Sequence, residues 1–108
     1  MATEGKNLAL KVEGHAGYAK VGNDIVCSSA SILAYTVAQF VMEAEHQGDL
    51  VSPPKIKLDG GDAFILCEPA EDTLPGLRNM FLFAKMGYAL LEYNYPQNVE
   101  LIKDVEAK

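Results

Sequence analysis

The sequence predicts an α+β domain in which two helices cover one face of a mainly antiparallel sheet, with elements in the order β-α-β-β-α-β. Three observations predict it. Apolar residues alternate in steps of two in several short segments, they recur in steps of three and four in two longer ones, and glycines and prolines stand at the joins. Strands that are polar on one side need cover only on the other, which gives two layers.

The first strand is read at residues 7–13, NLALKVE, with Leu8, Leu10 and Val12 on one side and Ala9, Lys11 and Glu13 on the other. Gly14, Gly17 and Gly22 break that alternation and form a loop. From about residue 25 to residue 47 the apolar positions Ile25, Ile32, Leu33, Val37, Phe40, Val41 and Ala44 recur at helical spacing, so one face is buried. Gly48 ends the helix, and Pro53 and Pro54 lead away from it. KIKLD (55–59) and DAFILCE (62–68) alternate again on either side of Gly60 and Gly61, the composition of a two-residue hairpin.

A second helix is expected from Asp72 or Thr73, either of which can cap it, to about Tyr93, with Pro75 tolerated in its first turn. Steps of seven put Arg78, Lys85 and Glu92 on one line. The remaining surface is almost wholly apolar, from Leu74 to Leu91. Such a helix needs cover on two sides, and a second copy of the chain is the simplest second cover. Tyr95 and Pro96 stop it, and VELIKDV (99–105) is read as a fourth strand. The order resembles split β-α-β folds, but the spatial order of the strands does not follow from it.

Length favours one domain over residues 1–108. A net charge of -6 opposes a phosphate backbone and suits a basic partner, so nucleic acid is not expected as a ligand. No apolar run is read as long enough to span a bilayer, and MATEGKNLAL lacks the marks of a secretory signal. A cytoplasmic protein, not bound to membrane, is expected. Cys27 and Cys67 are then thiols, and with no zinc-ligand spacing neither a metal nor a cofactor is anticipated.

The chemistry concentrates in GHAGYAKVGNDIVCSS, residues 14–29. A thiol attacks as thiolate, and a helix N-terminus favours that anion. Cys27 is read in the opening turn of the first helix, where unpaired N–H groups would also hold an oxyanion. His15, at the end of the first strand, can be brought back as the base of acyl transfer. Asp24 could orient the imidazole or cap the helix, and the residues leave both roles open. A glycine loop of this kind can close over a peptide. Cys67 is expected in the core, His46 near a helix C-terminus, Ser28, Ser29 and Ser31 in local hydrogen bonds, and Tyr88, Tyr93 and Tyr95 in packing. On the residues alone, an inert buried thiol competes with a hydrolase.

Residues 14–31, GHAGYAKVGNDIVCSSAS, resemble the signature of the ribosomal-processing cysteine protease family, Prp, in which G-H-A precedes a glycine-containing loop and G-x-D-I-V-C. DGGDAF and LLEYNYPQNVEL resemble two further segments of that family. The resemblance implies a homodimeric endopeptidase without cofactor. Such an enzyme removes an N-terminal extension from the precursor of large-subunit ribosomal protein twenty-seven, cutting after an aromatic pair. It implies Cys27 as nucleophile, His15 as general base and Asp24 as third residue. Gly14, Gly17, Gly22 and Ser28 then lie around the substrate. The chain departs from the pattern in having little upstream of NLALKVE, where the family usually has an extra strand, in Ser28 and Ser29 where small apolar residues are common, and in the aromatic and sulfur-rich second helix. A homologue acting on a phage capsid or scaffold protein, an idle dimeric binding module, and a redox pair of Cys27 with Cys67 are the competing expectations.

Overall fold

The computed structural model describes residues 7–13, 21–59 and 62–96. Its elements follow in the order β1 (Leu8–Glu13), α1 (Val21–His46), β2 (Lys55–Asp59), β3 (Asp62–Cys67) and α2 (Leu74–Asn94). The expected strand at 99–105 lies outside the described residues, so the described sheet has three strands, in the order β1-β3-β2.

β3 is the middle strand and pairs antiparallel with both neighbours, Leu10 and Ile56 each facing Ile65. β1 and β2 therefore run parallel to each other with β3 between them. That is a split crossover, with α1 as its connection. Asp59 pairs with Asp62, the register of a two-residue connection; Gly60 and Gly61 themselves lie outside the described residues.

The alternation in β3 decides which face is covered. Ala63, Ile65 and Cys67 are buried, and Ile65 and Cys67 join Val37, Ala38, Val41 and Ala44 of α1 and Leu77 and Ala84 of α2 in one core. Both helices thus lie on the same face of the sheet, as expected. The outer strands carry Lys11 with Glu13 at 3.3 Å and Lys57 with Asp59 at 3.8 Å. These pairs are exposed and add little stability, but charge on an edge strand discourages pairing with another sheet.

α1 is longer than its apolar pattern indicated, beginning at Val21. Asp24 was read as an orienting residue or a cap just outside the helix, yet polar residues that favour turns are equally at home in a first helical turn. Its far end is the expected glycine stop. Gly48 has φ +80°, the Gly48 N–H bonds Glu45 O at 3.0 Å, and the Asp49 N–H bonds Ala44 O at 2.9 Å. These are the two bonds of a Schellman ending, which needs a residue at positive φ. From Val26 to His46, α1 is long and apolar enough to cross a bilayer by length and composition, with mean hydropathy 1.2. That overturns the expectation that no run reaches such a length. Here the stripe Val37, Ala38, Val41 and Ala44 packs in the core.

Thr73 precedes α2 as its N-cap residue and Pro75 stands in its first turn, as read from sequence. The Thr73 hydroxyl does not cap, however. It donates to Asp49 O at 2.7 Å, tying the start of α2 to the segment that leaves α1. That bond, 24 residues apart in sequence, takes the hydroxyl away from the local N–H groups. The helix ends at Asn94, with the Tyr95 N–H bonded to Leu91 O at 2.8 Å and Pro96 just beyond.

Two glycines of α2 differ in what surrounds them. A Cβ on Gly76 would meet nothing within 4 Å. Gly76→Ala is therefore expected to stabilise the protein by about 0.5–1 kcal/mol, because alanine loses less backbone freedom on entering a helix. Urea denaturation checks it. At Gly87 a Cβ would lie 3.0 Å from both Leu33 Cδ atoms, which marks the close approach of α1 and α2.

Candidate functional site

Of the residues proposed for chemistry, Cys27 is placed in full, and its side chain is exposed in the second turn of α1. This corrects the expectation of an opening turn. The N–H groups left unpaired at a helix start belong to its first four residues, so at Cys27 they are already used. The helix terminus cannot be counted on for an oxyanion hole at Cys27, and its field falls off within the first turn.

The direction in which Cys27 points compensates. Positions 27, 34, 38 and 41 share one stripe of a helix, and Ala34, Ala38 and Val41 are 2 %, 1 % and 0 % exposed. Cys27 lies on this inward stripe but remains accessible. The core cluster takes Val37, Ala38, Val41 and Ala44 from α1, and Val26, beside Cys27, is buried outside that cluster. An accessible thiol on the inward stripe can be reached by a bound chain.

Gly14, His15 and Gly17 lie outside the described residues, so the expected meeting of Cys27 and His15 is not located. Glu13 ends β1 and Val21 opens α1, and α1 runs back along the sheet toward the start of β2. Gly22 and Asp24 fall inside α1, not in the loop before it. Asp24 is therefore not the cap, though an acidic residue in a first turn still suits the dipole. Ser28 is exposed beside Cys27.

The second thiol is of a different kind. Cys67 is 2 % exposed in the middle strand, and burial pushes its pKa up to about 11. It is a core residue, as its strand pattern indicated. His46 sits in the last turn of α1, also as expected.

Tyr88 was read only as packing. It is buried, and its hydroxyl donates to Ala30 O at 2.9 Å, in the turn that follows Cys27. The small residues beside it, Ala84 and Gly87, were the sequence signal for a close helix contact at this level. Tyr93, by contrast, is 83 % exposed, not packed as its helical position indicated.

No curated protein sequence matches the chain. Among solved structures, it is similar to the crystal structure of an essential ribosomal processing protease Prp from S. aureus in complex with a substrate peptide. The TM-score is 0.64 at 19% identity, with 89% of this chain and 86% of that one covered. At that identity the likeness speaks for the fold. The sequence model of the cysteine protease Prp family matches residues 1–100, a stretch holding both helices, the whole described sheet and the segment from His15 to Cys27. An accessible thiol on α1, a shared fold and a match over nearly the whole chain converge, and this chain belongs to the cysteine protease Prp family and is a cysteine protease.

Proposed function

We propose that this protein is an endopeptidase of ribosomal protein processing, which removes the N-terminal extension of the large-subunit ribosomal protein twenty-seven precursor. The observation that carries the reading is the accessible Cys27 on the inward stripe of α1, within a chain that the cysteine protease Prp family model matches over residues 1–100. The net charge of -6 suits a basic ribosomal precursor. The S. aureus protein of the same fold was crystallised with a substrate peptide, which supports a peptide ligand.

In this mechanism His15 takes the proton of Cys27, and the thiolate sulfur attacks the scissile carbonyl carbon. Collapse of the tetrahedral intermediate breaks the C–N bond. His15 gives its proton to the leaving amine, and a thioester remains on Cys27. Water, deprotonated by His15, hydrolyses the thioester and restores the thiol. Asp24 is the third residue, orienting the imidazole from the first turns of α1. The steps need no metal or cofactor, and they are compatible with a cytoplasmic location.

The protein works as a homodimer in this reading. Leu82, Phe83, Met86, Leu90 and Tyr93 are 49–83 % exposed and recur at helical spacing, forming an apolar stripe on the outer side of α2. Ile32, Tyr35 and Phe40 of α1 are exposed as well. Met86→Glu is expected to convert a dimer into a monomer of 11.7 kDa in sedimentation equilibrium. A wild-type protein that is already monomeric at micromolar concentration would remove the dimer.

The test of the activity is mass spectrometry of a peptide bearing that N-terminal extension, incubated with wild type and with Cys27→Ala. One cut after the aromatic pair, made only by wild type, supports substrate and nucleophile together. A protein that leaves this peptide whole but cuts a phage capsid or scaffold extension would reassign the substrate.

A further inference from the structure

We infer that Tyr88 is a positioning residue for Cys27, holding the helical turn that follows the nucleophile through its hydrogen bond to the Ala30 carbonyl. The inference rests on Cys27 being the nucleophile and adds a residue to that reaction. The need for such a hold comes from the shape of the core. In α1 the core cluster comprises Val37, Ala38, Val41 and Ala44. Before Ala34, Val26 is the one buried side chain among those described in α1. The sheet therefore anchors the second half of the helix, and Cys27 is in the first.

What reaches the first half is the far end of α2. Leu77, near the start of α2, lies in the core with the end of α1, whereas Tyr88 contacts Ala30, so the two helices run antiparallel. The Tyr88 hydroxyl donates to Ala30 O at 2.9 Å, across 58 residues of chain. A helix carbonyl has a second lone pair, so this bond is made without giving up the bond to the next turn. Gly87, the neighbouring residue, allows the helices to meet against Leu33, one turn further along α1. Burial pushes the Tyr88 pKa up to about 12, which keeps the phenol a donor throughout the working range. The bond and the glycine contact bracket the turn after Cys27 from one side. A displaced reacting atom is costly, since a shift of about 1 Å can lower a rate by about 100-fold.

Tyr88→Phe removes the hydroxyl and keeps the ring. Ile65→Val serves as a control, since it trims the core in the middle strand without touching either helix near Cys27. Both variants, wild type and Cys27→Ala are assayed on the ribosomal extension peptide, well below every Tm. Tyr88→Phe is expected to lower kcat about 10-fold with KM unchanged, and Ile65→Val to lower Tm while keeping kcat. If Tyr88→Phe stays within about twofold of wild type in kcat while Cys27→Ala is inactive, the positioning role is overturned and the nucleophile stands. Cleavage by Cys27→Ala would sink the nucleophile itself, and the inference with it. A readout free of substrate accompanies these: amide hydrogen exchange over residues 27–33 should quicken in Tyr88→Phe and not in Ile65→Val. Equal exchange in wild type and Tyr88→Phe would also overturn the proposal.

Discussion

Cys27→Ala is expected to lower kcat/KM on the extension peptide by about 10,000-fold or more while leaving the fold and Tm close to wild type. The size follows from the kind of catalysis. Without sulfur no thioester forms, and only water and whatever polarises the carbonyl remain. The structural cost is small because the side chain is exposed and alanine is the best helix former. A fluorogenic peptide gives the rate, and circular dichroism checks the fold. Loss of the fold along with the rate would show that the experiment measured stability, and retained turnover would move the nucleophile elsewhere. Iodoacetamide near neutral pH supplies an independent mark. It should label Cys27 alone, since burial pushes the Cys67 thiol up to about 11.

The second large effect belongs to the core. Ile65 is fully buried in the middle strand, between Leu10 and Ile56 and under both helices. Ile65→Ala is expected to cost about 2–5 kcal/mol, because the cavity it leaves is walled by two strands and two helices that cannot all move in. A domain of this size has about 5–15 kcal/mol in all. The variant should therefore unfold at a markedly lower urea concentration with an unchanged m-value. A loss under about 1 kcal/mol would mean that the helices follow the sheet inward and fill the space.

Most of the architecture was legible in the chain, for reasons that differ between elements. β3 reads clearly because DAFILC is covered on one face only, so its two-residue period survives into the burial of Ala63, Ile65 and Cys67. The end of α1 reads clearly because only a residue such as Gly48 takes the positive φ that closes it. Its start does not. Val21 to Ile25 contain a glycine and two turn-forming polar residues, and local composition cannot say that a helix begins there. That misreading matters, since it set Cys27 at the helix terminus instead of a turn inside. The Thr73 hydroxyl was assigned to its own helix and bonds Asp49 O instead, a partner remote in sequence that no local pattern reveals. Tyr88 was legible as buried but not as bonded to Ala30 O, for the same reason.

The site divides along a similar line. Residue types and spacing singled out Cys27, and the fold adds which way it faces. Its place on the stripe of Ala34, Ala38 and Val41 was implicit in the helical period. Its accessibility was not, because that depends on where the core stops under α1.

The strand order β1-β3-β2 also sets a timetable for the growing chain. β2 and β3 are neighbours in sequence and can pair as soon as both exist, but β1 joins the described sheet only through β3, with Glu13 meeting Asp62 across roughly fifty residues. A ribosome making this protein therefore releases Cys27, the proposed nucleophile, long before Tyr88. The segment from His15 to Cys27 is synthesised early, the strand that fixes β1 comes later, and Tyr88 comes later still. With Cys27 and His15 in the proposed roles, such an order would keep a nascent protease idle until most of its chain has left the ribosome.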